Sequence, residues 1–359
     1  MKLLISIFLI VGNALLISAS DVKAQKPCQS ASFPSLRFNA SNVFPKNQSL
    51  NRPEDGKALR DGRIVVADEQ AGLRVIDKNG RSRAFGKFKE AGFSNNPPNF
   101  PAAPNGVFLE KDKRHLLVAD VYSGHIYRVD SATEMVEVVY KHKFGVNSLV
   151  RDSRGNIWFT QSARNPAEKF GLLYEAINRP VSSGTIYFLQ WRKSKFVDIA
   201  VEVASNIYFA NGIALNNKET KLFVAETMMN RVLSFDVNLD SPAVSNRETY
   251  AYVLTPDNIA IDSKDNLAVA SPLSNIVVAI DAKCKSVHTL FSAPSTANSA
   301  AQNTWVINSN LGKPLLSLVT PETAQPLPGL LTGMFWSHDH KTLYITGLGK
   351  AIVKIEMGG

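Results

Sequence analysis

The feature that most constrains this chain is a pattern written six times between Pro53 and Ile355. Each copy opens with a turn bearing Asn, Asp or Gly and runs into a short apolar strand. A second strand follows, ending near Ala-Asp or Phe-Thr, and then a third ending near Val-Asp. The openings are Pro53–Gly56, Pro104–Leu109, Asn147–Asp152, Asn211–Leu215, Asp257–Asp262 and Gly333–Trp336. The second strands read Arg63–Asp68, His115–Asp120, Asn156–Thr160, Lys221–Glu226, Asn266–Ala270 and Thr342–Thr346. The third strands read Leu73–Asp77, His125–Asp130, Gly184–Leu189, Arg231–Asp236, Asn275–Asp281 and Ala351–Ile355. A more variable fourth strand is expected at Met135–Tyr140, Phe196–Val201 and Ser286–Phe291. Segments this short, rich in Val, Ile, Tyr and Phe and punctuated by Gly, Asn, Asp and Ser, read as strands. Four strands in roughly 45 to 60 residues is propeller spacing. One such unit cannot bury both of its faces, so the units must stack around an axis. The expected fold is all-β, a six-bladed β-propeller of four-stranded antiparallel blades, with a seven-bladed ring or a sandwich as the alternatives. Residues 25–50 can complete the outer strand of a blade but are too few to build a seventh.

Ahead of the repeats, Lys2 precedes an almost wholly apolar Leu3–Ile17, and small residues follow up to Ala24. That is the layout of a secretory signal peptide, and it falls short of the roughly 20 apolar residues that a membrane span needs. Residues 1–24 are therefore expected to be a signal peptide and residues 25–359 a single propeller domain. The mature protein is expected to be periplasmic or secreted, with no membrane span. The two cysteines, Cys28 and Cys284, read as one bridge in an exported chain, the alternative being two unrelated buried thiols. The chain carries a formal charge of +9 with its charged residues interspersed. Lys141-His142-Lys143 and Arg192-Lys193-Ser194-Lys195 read as solvated strand ends. Nothing resembles a nucleic-acid motif, so no nucleic-acid partner is expected; a loose attraction to anionic surfaces is all that the charge allows.

In a propeller the innermost strand of each blade starts at the mouth of the central channel, so the residues at those starts face one another. In blade order they are Glu54, Asn105, Asn147, Asn211, Asp257 with Asn258, and Thr332 with Gly333. This is a ring of oxygen-bearing side chains with two carboxylates and no Lys or Arg. Any one of them is an ordinary turn residue, because Asn and Asp tolerate left-handed backbone and bond their own main chain. Repeated in register from blade to blade, they point to a site. Two packed carboxylates without a cation repel and raise each other's pKa. A Ca²⁺ ion relieves that, taking about six to eight oxygen ligands and needing no His or Cys. One axial Ca²⁺, its charge balanced by Glu54 and Asp257, is the expectation.

The run Tyr208–Leu215, followed by Phe223–Thr227 and Asn230-Arg231-Val232, resembles the strictosidine-synthase-like proteins. Pro256–Ile259 and Asn156–Thr160 fit that group and its relatives, the gluconolactonase and regucalcin propellers and, more distantly, the paraoxonases. The resemblance extends from about Pro53 to Ile355, and only the fourth-blade motif is specific. It implies a six-bladed fold and, in the hydrolytic members, a catalytic Ca²⁺ held by Glu in blade one, Asn in blades three and four, and Asp in blade five. Those positions here are Glu54, Asn147, Asn211 and Asp257, and all four match. Strictosidine synthase has an acidic catalytic residue at the start of blade six, where this chain reads Gly329–Met334 with no acid, so amine–aldehyde condensation is not expected. Paraoxonases carry a His on the inner strand of blade two, where this chain has Asn105, so their histidine mechanism does not carry over.

Two function classes follow. The first is a calcium-dependent hydrolase of a lactone or other ester, of gluconolactonase or arylesterase type. There Asp257 would be ligand and general base or nucleophile, and Asn105 and Asn258 would line a pocket for a small-molecule substrate. The second is a non-catalytic exported propeller that binds a ligand or acts as a scaffold. No Gly-x-Ser-x-Gly elbow is present, and the six histidines read as packing or surface residues, with His338 and His340 on the face away from the metal. Gln161–Ser183 is far longer than the two to five residues of an ordinary hairpin turn. With Phe170, Leu172, Leu173, Tyr174 and Ile177 it reads as a lid over the metal, or else as a decoration packed on a neighbouring blade.

Overall fold

The computed structural model describes residues 28–357 apart from Phe100 and Ser241; the expected signal peptide, residues 1–24, lies outside them. The apolar runs zip into one five-stranded and five four-stranded sheets, and there is one further two-stranded hairpin. The sheets follow one another in chain order as blades, with consecutive strands antiparallel, which is the six-bladed propeller expected. The inner strands are Gly56–Ala58, Pro104–Leu109, Leu149–Arg151, Ala210–Leu215, Ile259–Ile261 and Leu331–Trp336. Each touches the next and the last touches the first, closing a ring. Second strands such as Ile64–Asp68 and Leu267–Ser271 are buried at every position, because a blade is covered on both faces. This is why they read as continuous apolar runs rather than alternating ones.

The segment before the first repeat closes the ring. Val43–Phe44 pairs antiparallel with Ile352–Glu356 as the outer strand of blade six. Leu36–Arg37 pairs parallel with Val287–Ser292 as a fifth strand of blade five. Just ahead of it, Cys28 is joined to Cys284 with a Cα–Cα distance of 5.7 Å, in the turn after the third strand of blade five. Among the described residues no helix is long and apolar enough to cross a membrane.

Two expectations need correction. The outer strand of blade three is Val201–Ile207 rather than Phe196–Val201. Trp191–Arg192 and Lys195–Phe196 form their own hairpin instead, with the two aromatic rings edge to face at 4.6 Å and the Arg151 guanidinium over both. Second, His142 is not a solvated strand end: it is 5% exposed, ringed by Tyr140, Phe144, Phe159 and Tyr187, with Nε2 3.1 Å from Gln161 Oε1. Helices also sit in two connections. The blade-three connection carries α1, Leu172–Asn178, and the chain between blades five and six carries α2, Thr296–Asn310, capped by Ser295. The sequence hides α2 because only Asn298, Ala301 and Trp305 are buried along it.

Strand alternation puts the inner-strand starts, the turns between second and third strands and the blade-to-blade connections on one face. Both helical connections are therefore on the face where the ring residues begin. There Leu173 and Ala176 of α1 and Ala301 and Trp305 of α2 pack with Ala103, Val121, Phe209, Met228 and Leu273 from blades two, four and five.

Candidate active site

Local breaks in strand pairing deliver the ring residues to the axis. Register shifts fall between Pro104 and Val107 and between Ala210 and Ile213. Asn105 and Asn211 sit inside these breaks, so they leave the ladder and turn toward the channel. Asn147 and Asp257 lie just ahead of their strands. Neighbouring blades then stitch the ring together. The Gly106 N–H donates to Asn147 O at 2.9 Å, the Gly212 N–H to Asp257 O at 3.3 Å and the Asn258 N–H to Thr332 O at 3.0 Å. The Thr160 hydroxyl donates to Asn211 O at 2.6 Å, and the hydroxyls of Thr332 and Thr346 both donate to Glu54 O. The Asn-Gly pairs are therefore not turns. Glycine is required at 212 because a Cβ there would lie 2.6 Å from both Asp257 O and Asn258 Cα.

All the expected site residues are brought together and buried, with Asp257, at 9%, the most exposed. Each of the four expected ligands keeps one buried oxygen with no hydrogen-bond partner: Glu54 Oε2, Asn147 Oδ1, Asn211 Oδ1 and Asp257 Oδ1. The other such atoms among the described residues, Asn165 Oδ1, Asn275 Oδ1 and Trp305 Nε1, belong to the connections on that face. Leaving a buried polar atom unpaired costs about 1–3 kcal/mol. Four unpartnered buried oxygens on neighbouring ring residues suit a hard, oxygen-seeking cation.

The electrostatics agree. Burial pushes the Glu54 carboxyl up to about 8, opposed chiefly by Arg52. Asp257 is raised well above the usual carboxylate range by burial and then by the charge of Glu54. Two such groups ionise together only when a cation offsets them.

The remaining polar atoms orient this set. Asn258 Nδ2 donates to Glu54 Oε1 at 3.1 Å, and Asn211 Nδ2 donates to the Thr227 hydroxyl, itself bonded to Pro256 O. The Asn105 carboxamide is engaged at both ends: Nδ2 donates to Asn147 O at 3.2 Å and Oδ1 accepts from Arg52 Nη2 at 2.8 Å. Asn258 also lines a cavity of 410 Å³ that runs along the inner strands to the opposite face, where His338 and His340 stand. A second acidic group, Glu110, Asp112 and His115, converges at a strand end. Its carboxylates already have partners, since Arg128 and Arg151 pair with Glu110 and the His115 ring hydrogen-bonds Asp112.

Sequence reasoning missed Arg52. The ring itself has no cation, as expected, but Arg52 lies two residues before Glu54 and reaches across to blade two. Its backbone has φ +56° although Pro53 follows, a combination that nothing in Arg-Pro-Glu-Asp signals. Also unforeseen is the company of the blade-three connection: the Phe170 and Tyr122 rings lie tilted to one another with centroids 4.7 Å apart, and the Tyr174 and Tyr122 hydroxyls meet. That connection is thus an ordered decoration packed on blade two.

Residues 131–301 match the family model described as SMP-30/Gluconolactonase/LRE-like region. The lactonase drp35 of Staphylococcus haemolyticus is 29% identical over 181 residues, covering 46% of this chain and 50% of that protein. The lactonase drp35 of Staphylococcus saprophyticus is 29% identical over 195 residues, covering 44% and 60%. The chain spans about half the length of the curated relatives it matches. Among solved structures, a gluconolactonase from Xanthomonas campestris superposes with a TM-score of 0.57 at 16% identity over 93% of this chain and 99% of that one. A calcium-binding protein, regucalcin, from Agrobacterium tumefaciens superposes with a TM-score of 0.59 at 11% identity over 89% and 94%. These structural likenesses establish the shared fold.

Proposed function

From a chain whose residues 131–301 carry an SMP-30/Gluconolactonase/LRE-like region, we propose a calcium-dependent hydrolase of lactones or related esters. The observation that carries this reading is the set of four unpartnered buried oxygens on Glu54, Asn147, Asn211 and Asp257. These residues would hold one Ca²⁺. Bound there, calcium supplies Lewis-acid polarisation of the scissile carbonyl and offsets the charge that develops on it.

The chain's own residues do the rest. Asp257, the most exposed of the four, takes the proton from the water that attacks the carbonyl carbon and returns it to the alkoxide oxygen that leaves as the acyl C–O bond breaks. Asn258 fixes Glu54, and Asn105, locked between Arg52 and Asn147, fixes the rim that the substrate meets. Tyr122, Phe170 and Tyr174 form an aromatic wall for an apolar acyl or aryl group. The lactonase names of the relatives support the choice of reaction, and the Cys28–Cys284 bridge supports a periplasmic or secreted setting.

The test is a panel of lactones and aryl esters assayed with and without a calcium chelator, alongside calcium content. Asp257→Ala is expected to lose both metal and turnover, and Asn147→Ala and Asn211→Ala to weaken both. Calcium binding without turnover of any lactone or ester would leave a ligand-binding propeller. Protein that co-purifies without metal and melts identically in chelator would remove the site altogether.

A further inference from the structure

We propose that Arg52 builds an anion subsite on the rim of the axial ring, which takes the carboxylate of a hydroxycarboxylate. That is the class of product that opening a lactone releases, and the choice of ligand rests on the lactonase reading above.

Arg52 is half-buried beside the ring, yet no carboxylate lies within ion-pair distance of it among the described residues. Its guanidinium is held by neutral acceptors: Nη1 donates to Pro104 O at 2.9 Å and Nη2 to Asn105 Oδ1 at 2.8 Å. A guanidinium has five N–H donors in a fork that matches a carboxylate, so more than half of that capacity remains unused. The backbone is also held in an uncommon state. Arg52 has φ +56°, in a region that side-chain-bearing residues rarely occupy and that residues before proline avoid further. Its N–H donates to Gly349 O at 3.0 Å and its carbonyl accepts from Glu54 N at 2.8 Å. Strain of this kind persists where the surroundings over-determine it, and it collects at functional sites.

The charge count points the same way. A divalent cation is neutralised by Glu54 and Asp257, and Asp55 is already matched by Lys57. With that cation bound, Arg52 is left without an ion-pair partner among the described residues, and a monoanion supplies one. A phosphate dianion would overshoot. A hydroxycarboxylate brings one negative charge with hydroxyl groups suited to an oxygen-rich ring.

Isothermal titration of the calcium-loaded protein tests this with 5-hydroxypentanoate and its neutral isostere 5-hydroxypentanamide. The acid is expected to bind the wild type at least about tenfold more tightly than the amide, the usual scale for a charge-assisted pair. Arg52→Gln is expected to bind the two alike while retaining calcium. Arg52→Lys keeps the charge without the fork and is expected to fall between them; it carries the test if Arg52→Gln does not fold. A merely structural arginine would alter stability but not the preference for acid over amide. Wild type that binds the two alike, or neither, overturns the subsite, as does Arg52→Gln that keeps the preference. Acid preference in a protein that opens no lactone supports the subsite and overturns the lactonase reading; turnover with no acid preference does the reverse.

Discussion

At the scale of the residue, His142 shows how burial turns a side chain of the basic cluster into an acid-sensitive weak point. Its ring is enclosed by aromatic groups, and burial lowers its pKa to about 4, with the Gln161 contact acting the other way and the Lys143 charge adding to the fall. The folded protein therefore keeps it neutral at a pH where the unfolded chain, titrating near 6.5, is protonated. The sign follows: its contribution is fully present above about pH 6.5, is lost as pH falls from there to about 4, and declines no further below that. The loss is at most about 3 kcal/mol. Urea unfolding of His142→Phe at pH 7 and pH 4.5 is expected to show a smaller drop than the parent; an equal drop would mean that this ring does not govern the acid limb. His125, lowered to about 4 by burial and by Lys141, adds to the same trend.

At the scale of the element, the blade-three connection makes the clearest prediction. A hairpin turn needs two to five residues, and a connection this much longer, bearing its own helix, is commonly functional. Leu173 and Ala176 of α1 bury against Trp305 of α2 and residues of blades two, four and five. Replacing residues 164–180 with a short Gly-Ser turn is expected to leave the blades and calcium binding intact. It should lower the melting temperature by uncovering that cluster, and it should change the ratio of kcat/KM between aryl and aliphatic substrates. A variant that handles every substrate as the parent does would leave α1 a packing element only.

At the scale of the whole molecule, the question is what keeps the ring shut. Blade six borrows its outer strand from Val43–Phe44, and Cys28–Cys284 ties the same segment to blade five across a separation of 256 residues. Loop entropy alone would make such a link worth up to about 5 kcal/mol. The strands Leu36–Arg37 and Val43–Phe44 already hold these ends together, so the measured value should fall below that. Cys284→Ser, or reduction of the parent, is expected to lower the melting temperature while far-UV circular dichroism stays that of a β protein. No change in melting temperature would mean that the paired strands suffice.

The six-blade architecture, the closing role of the N-terminal segment, the cysteine pair and the register of Glu54, Asn147, Asn211 and Asp257 were all readable in one dimension. Each rests on local rules repeated at intervals: strand periodicity, turn residues, and one inner-strand start per blade. The ring oxygens could be placed because a propeller converts sequence phase directly into axial position. What the sequence could not show depends on contacts between distant segments. Asn105 and Asn258 read as pocket residues, and only the fold shows that the Asn105 carboxamide is held by Arg52 and Asn147 and that Asn258 Nδ2 is held by Glu54, all from other blades. His142 read as solvated because its neighbours in sequence are lysines, whereas its neighbours in space are aromatic rings. The helix α2 was hidden because the surface that buries it comes from other parts of the chain. Above all, only the tertiary structure brought Arg52 to the rim, since a left-handed backbone before proline is imposed by the packing around it and not by its own local preference.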